Sequence, residues 1–164
     1  MSANKNVEKT QKRRHLESTF GSLYSFTGAE FSDDGYPMCV YCGDPATGRD
    51  HVPPITKVQA YRELCLAKEL YLLVPSCASC NSFGSDNLQS SIFERIEFIK
   101  DRISRKFARY LQQTEWDEEE IEELGPNLAS KVREGTVKRR MAIARIEYYG
   151  GYDYLMDEID GYFR

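Results

Sequence analysis

Two Cys-x-x-Cys pairs, Cys39-Val-Tyr-Cys42 and Cys77-Ala-Ser-Cys80, constrain this chain more than any other feature. Two residues between cysteines let both sulfurs face one point across a tight turn, and two such knuckles complete a tetrahedron around Zn²⁺. The flanking residues suit such turns: Tyr-Cys-Gly at 41–43 and Pro-Ser-Cys-Ala-Ser-Cys-Asn at 75–81. The 34 residues between the knuckles are more than a compact zinc ribbon uses, so something substantial is inserted there. A closed four-cysteine site leaves no open coordination position, so the zinc it implies is structural. A redox dithiol and four unligated core thiols are the other readings of the same spacing. The fifth cysteine, Cys65, falls on an apolar helical face and reads as a small core residue. With no apolar leader at the N-terminus and no membrane-length apolar run, metal is favoured over disulfides and a membrane partner is not expected.

At 164 residues the chain has the size of one domain, or of a small domain with one extension. Its net charge of −4 argues on its face against a nucleic-acid partner, but the charges are unevenly placed. Seven acids and no base fall within residues 115–123, whereas residues 5–14 hold five bases against one acid. Residues 95–109 hold six bases against two acids, and residues 131–145 six against one. A polyanion responds to the local field rather than to the sum, so DNA and RNA stay open as partners.

The pattern along the chain predicts an α+β protein. Residues 1–14 are polar and basic and read as a mobile tail, and residues 20–31 have loop or short-strand composition. Residues 36–54 are rich in turn formers, with a short β-type run at Met38-Cys39-Val40-Tyr41. A helix is expected over 56–70 and a buried strand over Leu70–Val74, stopped by Pro75. From Leu88, apolar residues at 88, 92, 96, 99, 103, 107 and 110 predict a six-turn helix capped by Asp86 or Asn87. An acidic helix near 117–124, a helix running to about Tyr149, and a last one carrying Leu155, Met156, Ile159 and Phe163 complete the reading. The boundaries are a tail and loop segment at 1–35, a cysteine- and histidine-bearing unit at 36–87 and a helical extension at 88–164.

Of the two histidines, His15 belongs to the basic N-terminal run and reads as incidental. His51 stands in Arg49-Asp50-His51-Val52-Pro53-Pro54. Neighbours in an extended segment point to opposite faces, so Asp50 and His51 do not form a simple dyad. They can straddle a site, carboxylate on a metal and imidazole on a water; a neutral imidazole suits a general base at neutral pH. A histidine capping the turn before the two prolines is the structural alternative.

Cys39-x-x-Cys42, Asp50-His51-Val52-Pro53-Pro54 and Leu73-Val74-Pro75-Ser76-Cys77-x-x-Cys80-Asn81, in that order, resemble the HNH (ββα-metal, His-Me finger) nucleases. The resemblance is to the subgroup whose finger is braced by four cysteines, as in phage junction-resolving endonucleases, and to small stand-alone HNH proteins of bacteria and phages. It covers about residues 38–86; the Glu115–Leu128 stretch is similar, less specifically, to the tails of some of those proteins. The resemblance implies a zinc-braced ββα-metal finger with a helical extension. It implies Asp50 and Asn81 as ligands of a catalytic Mg²⁺ or Mn²⁺, and His51 as the base that activates water for cleavage of DNA to 5′-phosphate ends. It also implies a cytoplasmic setting in a bacterial or phage-infected cell. Two positions depart from the pattern: the middle Asn is Leu72, and the Lys common three residues after Asn81 is Gly84. Arg49 is a candidate to replace that lysine's phosphate contact.

On the 88–111 helix, 100° per residue sets Arg95, Arg102, Arg105 and Arg109 in one stripe about 21 Å long, beside the apolar face. Such a stripe can track phosphates, or it can be a solvated face with pairs such as Asp101 to Arg105. Lys138-Arg139-Arg140 has the same two readings, and the acidic 115–123 segment reads as solvated surface or as a phosphate mimic covering a basic groove. The rival classes to a nuclease are a non-catalytic zinc-braced binding module and a partner subunit of a phage or defence assembly. The helical half would be the interface with another protein or a second copy of the chain.

Overall fold

The computed structural model describes residues 2–64 and 70–162. Seven helices and three strands occur among them: α1 Ser2–Phe20, β1 Ser25–Phe26, β2 Gly48–Val52, α2 Val58–Leu64, β3 Leu72–Ser76, α3 Ala78–Gly84, α4 Ile92–Leu111, α5 Glu118–Glu122, α6 Pro126–Glu147 and α7 Gly150–Tyr162. The chain is α+β, helix-rich around one small sheet of order β1-β3-β2. The central strand β3 pairs parallel with β1 and antiparallel with β2, Asp50 opposite Val74 and His51 opposite Leu73. None of the described helices is long and apolar enough to cross a membrane. Cys65 and Phe163, both expected on helical faces, lie outside the described residues.

Two apolar clusters hold these elements. The larger joins both cysteine knuckles and strands β2 and β3 to Ile92, Ile96, Ile99 and Ile103 of α4 and to Leu155 and Ile159 of α7. Each of the four isoleucines is almost fully buried, worth on the order of 2 kcal/mol apiece. The helical half is therefore the other side of the core of the cysteine- and histidine-bearing unit. In α7 the chain passes so close to the first knuckle that a Cβ on Gly151 would lie 2.1 Å from the Val40 carbonyl oxygen. The helix expected to run to about Tyr149 ends at Glu147, and Gly150-Gly151 opens α7, where at Gly151 only glycine fits that contact. The second cluster packs Tyr24, Ile55, Val58, Tyr61 and Tyr71 against Leu16 and Phe20 of α1.

Residues 2–14, read from composition as a tail, are helical as the greater part of α1, and the second cluster holds the other end of that helix. Lys, Glu, Gln and Arg are good helix formers, Arg13 pairs with Glu17 at 3.0 Å, and Leu16 and Phe20 anchor the C-terminal end of α1. The start of α4 also differs from expectation. Its N-cap is Ser91, whose hydroxyl accepts from the Glu94 N–H at 3.2 Å, while Glu94 accepts from the Ser90 N–H at 3.0 Å. Residues 86–90 stay outside the helix because their backbone is used elsewhere, as described below. Pro75 does not stop β3; it pairs with Arg49, and a missing N–H is tolerated where no ladder bond needs it. The acidic segment folds as α5 behind an Asp117/Glu120 capping box and meets the bases of α6: Glu118 pairs with Arg133 at 3.1 Å and Glu115 with Arg139 at 3.3 Å.

Candidate functional site

Both centres of interest draw on α3, which carries Cys80 and Asn81; the first adds the turn before β2, the second β2 itself. At the first, Cys39 and Cys42 lie on a turn in which the Cys42 and Gly43 N–H groups donate to the Cys39 carbonyl at 3.3 and 2.9 Å. Cys77 is the N-cap of α3, its sulfur accepting from the Cys80 N–H at 3.5 Å, and Cys80 follows in the first turn. The four sulfurs lie within 4.8 Å of one another and all four residues are buried. Cys42 and Cys77 are 3.8 Å apart, the separation of two sulfurs each about 2.3 Å from a tetrahedral Zn²⁺. The cluster can hold a metal ion such as zinc. Crowding splits the thiols: hydrogen bonding with Cys39, then with Cys42 and Cys80, pushes Cys77 down, while hydrogen bonding with Cys39, Cys42 and Cys77 pushes Cys80 up.

A residue from the far end of the chain completes this centre. The Arg145 guanidinium, in the last turn of α6, lies 3.8 Å from both Cys42 and Cys77 sulfurs and 2.9 Å from the Asp44 carboxylate. A metal held by four thiolates carries surplus negative charge, and Arg145 meets it from the helical half. Nothing in the sequence around Arg145 signals this role.

At the second centre, Asp50 and His51 point to opposite faces of β2, as alternation requires. Asp50 turns inward and is 5% exposed. Its Oδ2 accepts from the Tyr41 hydroxyl at 2.7 Å and from Arg95 Nε at 2.8 Å, and its Oδ1 from Arg95 Nη2 at 3.1 Å. His51, half-buried, meets the Tyr24 ring edge-on at 4.8 Å. Burial lowers its pKa below 6.5; the Asp50 charge opposes the shift and the Arg13 charge adds to it. The imidazole is therefore neutral at pH 7 and able to accept a proton. From α3, the Asn81 amide donates to the Arg49 carbonyl at 3.2 Å, leaving its side-chain oxygen as an acceptor. Asp50, His51 and Asn81 line one cavity of about 600 Å³, walled on the other side by Lys12, Arg13 and Leu16 of α1.

Arg95 corrects the expected stripe. It is fully buried and faces the Asp50 carboxylate instead of solvent. Besides the two bonds to Asp50, it donates to the Asn87 carbonyl at 2.8 Å, to Gln89 Oε1 at 3.0 Å and to the Ser85 carbonyl at 3.1 Å. All five guanidinium N–H groups are used, so none is left for a phosphate. These bonds hold residues 85–89 out of α4, and they fix Ser85 at φ +42°, a costly conformation for a residue with a side chain. They also explain Gly84. A Cβ there would lie 2.5 Å from Arg95 Nη2, so the lysine common in the HNH pattern has no room at this position. Leu72, at the place of the middle Asn, is 1% exposed in the main core, where an amide would be buried among apolar side chains.

The remaining arginines divide. Arg102, stacked on Phe98 at 5.2 Å, and Arg105, paired with Asp101 at 3.0 Å, line a second cavity of about 500 Å³ together with Lys106. Arg109 lies over the Tyr110 ring at 4.4 Å and lines neither cavity. Arg49 donates through Nη1 to the Thr27 and Leu73 carbonyls, both at 3.0 Å, and does not line the His51 cavity. Lys138 is paired with Glu134, and Arg139 with Glu115. Sequence reasoning missed Tyr41, Lys12, Arg13 and Lys106; the last three were visible only as members of basic runs. No family model, no curated protein and no solved structure matches the chain.

Proposed function

We propose that the chain is an HNH-type endonuclease that hydrolyses DNA phosphodiester bonds, its ββα finger braced by zinc at Cys39, Cys42, Cys77 and Cys80. One observation carries the reading: an antiparallel strand pair followed by a helix brings Asn81 to the wall of the same cavity as the adjacent Asp50 and His51. His51 takes the proton of the attacking water, and the neutral form it needs is favoured by its burial. Tyr24, against the ring edge, limits how the imidazole turns.

The donor set accommodates a catalytic Mg²⁺ or Mn²⁺. A carboxylate offers about four acceptor positions, and Asp50 uses three on Tyr41 and Arg95. One position on Oδ1 and the Asn81 amide oxygen remain, both hard donors suited to these cations. When bound, the cation would stabilise charge on the phosphorane and on the leaving 3′-oxygen. Because Arg95 already neutralises Asp50, these two donors alone would hold such a cation weakly.

The same ion pair favours a second reading, a zinc-braced module that binds nucleic acid without cutting it, in which Asp50 serves only to hold Arg95. A plasmid-nicking assay on zinc-loaded protein separates the two. The enzyme reading expects nicks with 5′-phosphate ends that need millimolar-range Mg²⁺ or Mn²⁺ and vanish on chelation. Binding without nicking on every DNA and RNA form gives the module reading.

A further inference from the structure

The two cavities share Ser82 and Ser85 and so adjoin at the C-terminal end of α3, where we read them together as one trough. The cations of that trough come from neither the strands nor α3. In the HNH pattern a lysine follows Asn81 by three residues; here Gly84 stands there, its space filled by the Arg95 guanidinium, whose donors are spent inward. At the His51 end the exposed cations are Lys12 and Arg13 of α1, from a segment that the sequence pattern reads as a loose tail. At the other end they are Arg102, Arg105 and Lys106 of α4.

The acids facing the trough decide how much of this charge is available. Asp50 is neutralised by Arg95, and Asp86, bonded to the Thr56 hydroxyl at 2.8 Å, remains at the first end. Arg13 shares Glu17, and Arg105 shares Asp101. Lys12 at one end and Arg102 and Lys106 at the other are the cations least offset by these acids. Arg102 and Lys106 are about one helical turn apart, the Arg102 guanidinium lying over the Phe98 ring at 5.2 Å and the Lys106 ammonium over the Phe83 ring at 5.1 Å, and both line the second cavity. Between the two ends, the Ser82 and Ser85 hydroxyls and Asn87 supply neutral donors of the kind that bind phosphate oxygens.

We propose that this trough is a two-ended phosphate clamp, in which Lys12 and Arg13 grip the backbone beside His51 while Arg102 and Lys106 grip the same strand beyond Ser82 and Ser85. The proposal rests on the nucleic-acid reading above but not on cleavage. It makes α1 part of the binding surface and leaves Arg109 and the α6 cluster outside it.

The test measures binding to fluorescently labelled single-stranded and duplex DNA across a range of salt, with His51→Ala as background so that cutting does not interfere. Three double variants remove two charges each: Lys12→Gln with Arg13→Gln, Arg102→Gln with Lys106→Gln, and Lys131→Gln with Arg140→Gln on α6 as control. All six side chains are exposed, so folding is expected to survive, which thermal unfolding checks. Each clamp variant should weaken binding and flatten the slope of log K against log salt by up to about two, at roughly 0.7–0.9 per lost contact. The control should keep the slope and affinity of the background. Clamp variants that lose no more than the control overturn the proposal, as does a background that binds neither DNA form. Failure of the enzyme reading looks different: no nicking by the unaltered protein, with the clamp slopes as expected.

Discussion

The cysteine centre and the His51 centre meet at the same short helix, α3, which carries Cys80 and Asn81, and each receives one arginine from the helical half. Arg145 reaches the thiolates of Cys42 and Cys77, and Arg95 reaches the carboxylate of Asp50. The difference lies in what the arginine does. At the cysteines it adds to a closed set of four residues that can hold a metal without it. At Asp50 it takes two acceptor positions, about half, of a group the proposed reaction needs, and it bonds the carbonyls of Ser85 and Asn87. A finger of this size thus borrows a charge from its extension twice, once to complete a centre and once to tune one. The extension is not a separable appendage.

The sharpest way to break this comparison is to remove the metal. If the cysteines brace both centres, strong chelation or Cys77→Ser should abolish bound zinc and unfold the finger, a loss on the order of 10 kcal/mol for a structural site. Elemental analysis and thermal unfolding read both effects. Because the larger core joins the knuckles to α4 and α7, the helical half should lose its cooperative transition along with the finger.

Arg95 comes next. Arg95→Leu leaves the buried Asp50 carboxylate with only Tyr41 and should cost about 3–5 kcal/mol in denaturant unfolding. Replacing both partners, Asp50→Leu with Arg95→Leu, should recover a substantial part of that loss, because no uncompensated charge stays buried. A double variant as unstable as the single would show that the arginine matters for packing rather than charge. Gly84→Ala tests the same contact from the other side. Its Cβ meets a guanidinium pinned by five hydrogen bonds, so about 1–3 kcal/mol of destabilisation is expected. Arg145→Gln should have the smallest effect on stability, about 1–2 kcal/mol, since a metal keeps its four ligands. It should nevertheless speed zinc loss to a chelator; an unchanged release rate would detach α6 from the cysteine centre.

The two centres also differ in how far they could be read from the chain. The cysteine cluster is legible because its chemistry is written in local spacing, two residues within each pair, and folding has only to bring two knuckles together. The α4 face was legible for the same reason, a period sustained over many residues. The His51 centre depends on partners with no local signature. Arg95 lies beside the apolar stripe on a helical wheel, and only the position of β2 turns it inward. Lys12 and Arg13 sit in a run whose composition is that of a loose tail, and two apolar anchors, Leu16 and Phe20, are what fold it over the cavity. The start of α4 was misplaced because the Ser85, Asn87 and Gln89 acceptors are claimed by Arg95. Tertiary demand overrode a good local cap.

Whether His51 serves as the base in phosphodiester cleavage is decided by the single-turnover rate of zinc-loaded protein on plasmid DNA in Mg²⁺ or Mn²⁺, compared with His51→Ala. Metal-dependent nicking is expected from the unaltered protein, with a rate lower by ~10²–10⁴ in the variant, the usual worth of a general base, and with DNA affinity and thermal stability nearly unchanged. Equal rates for the two proteins, or no nicking by either while both bind DNA, would contradict this role.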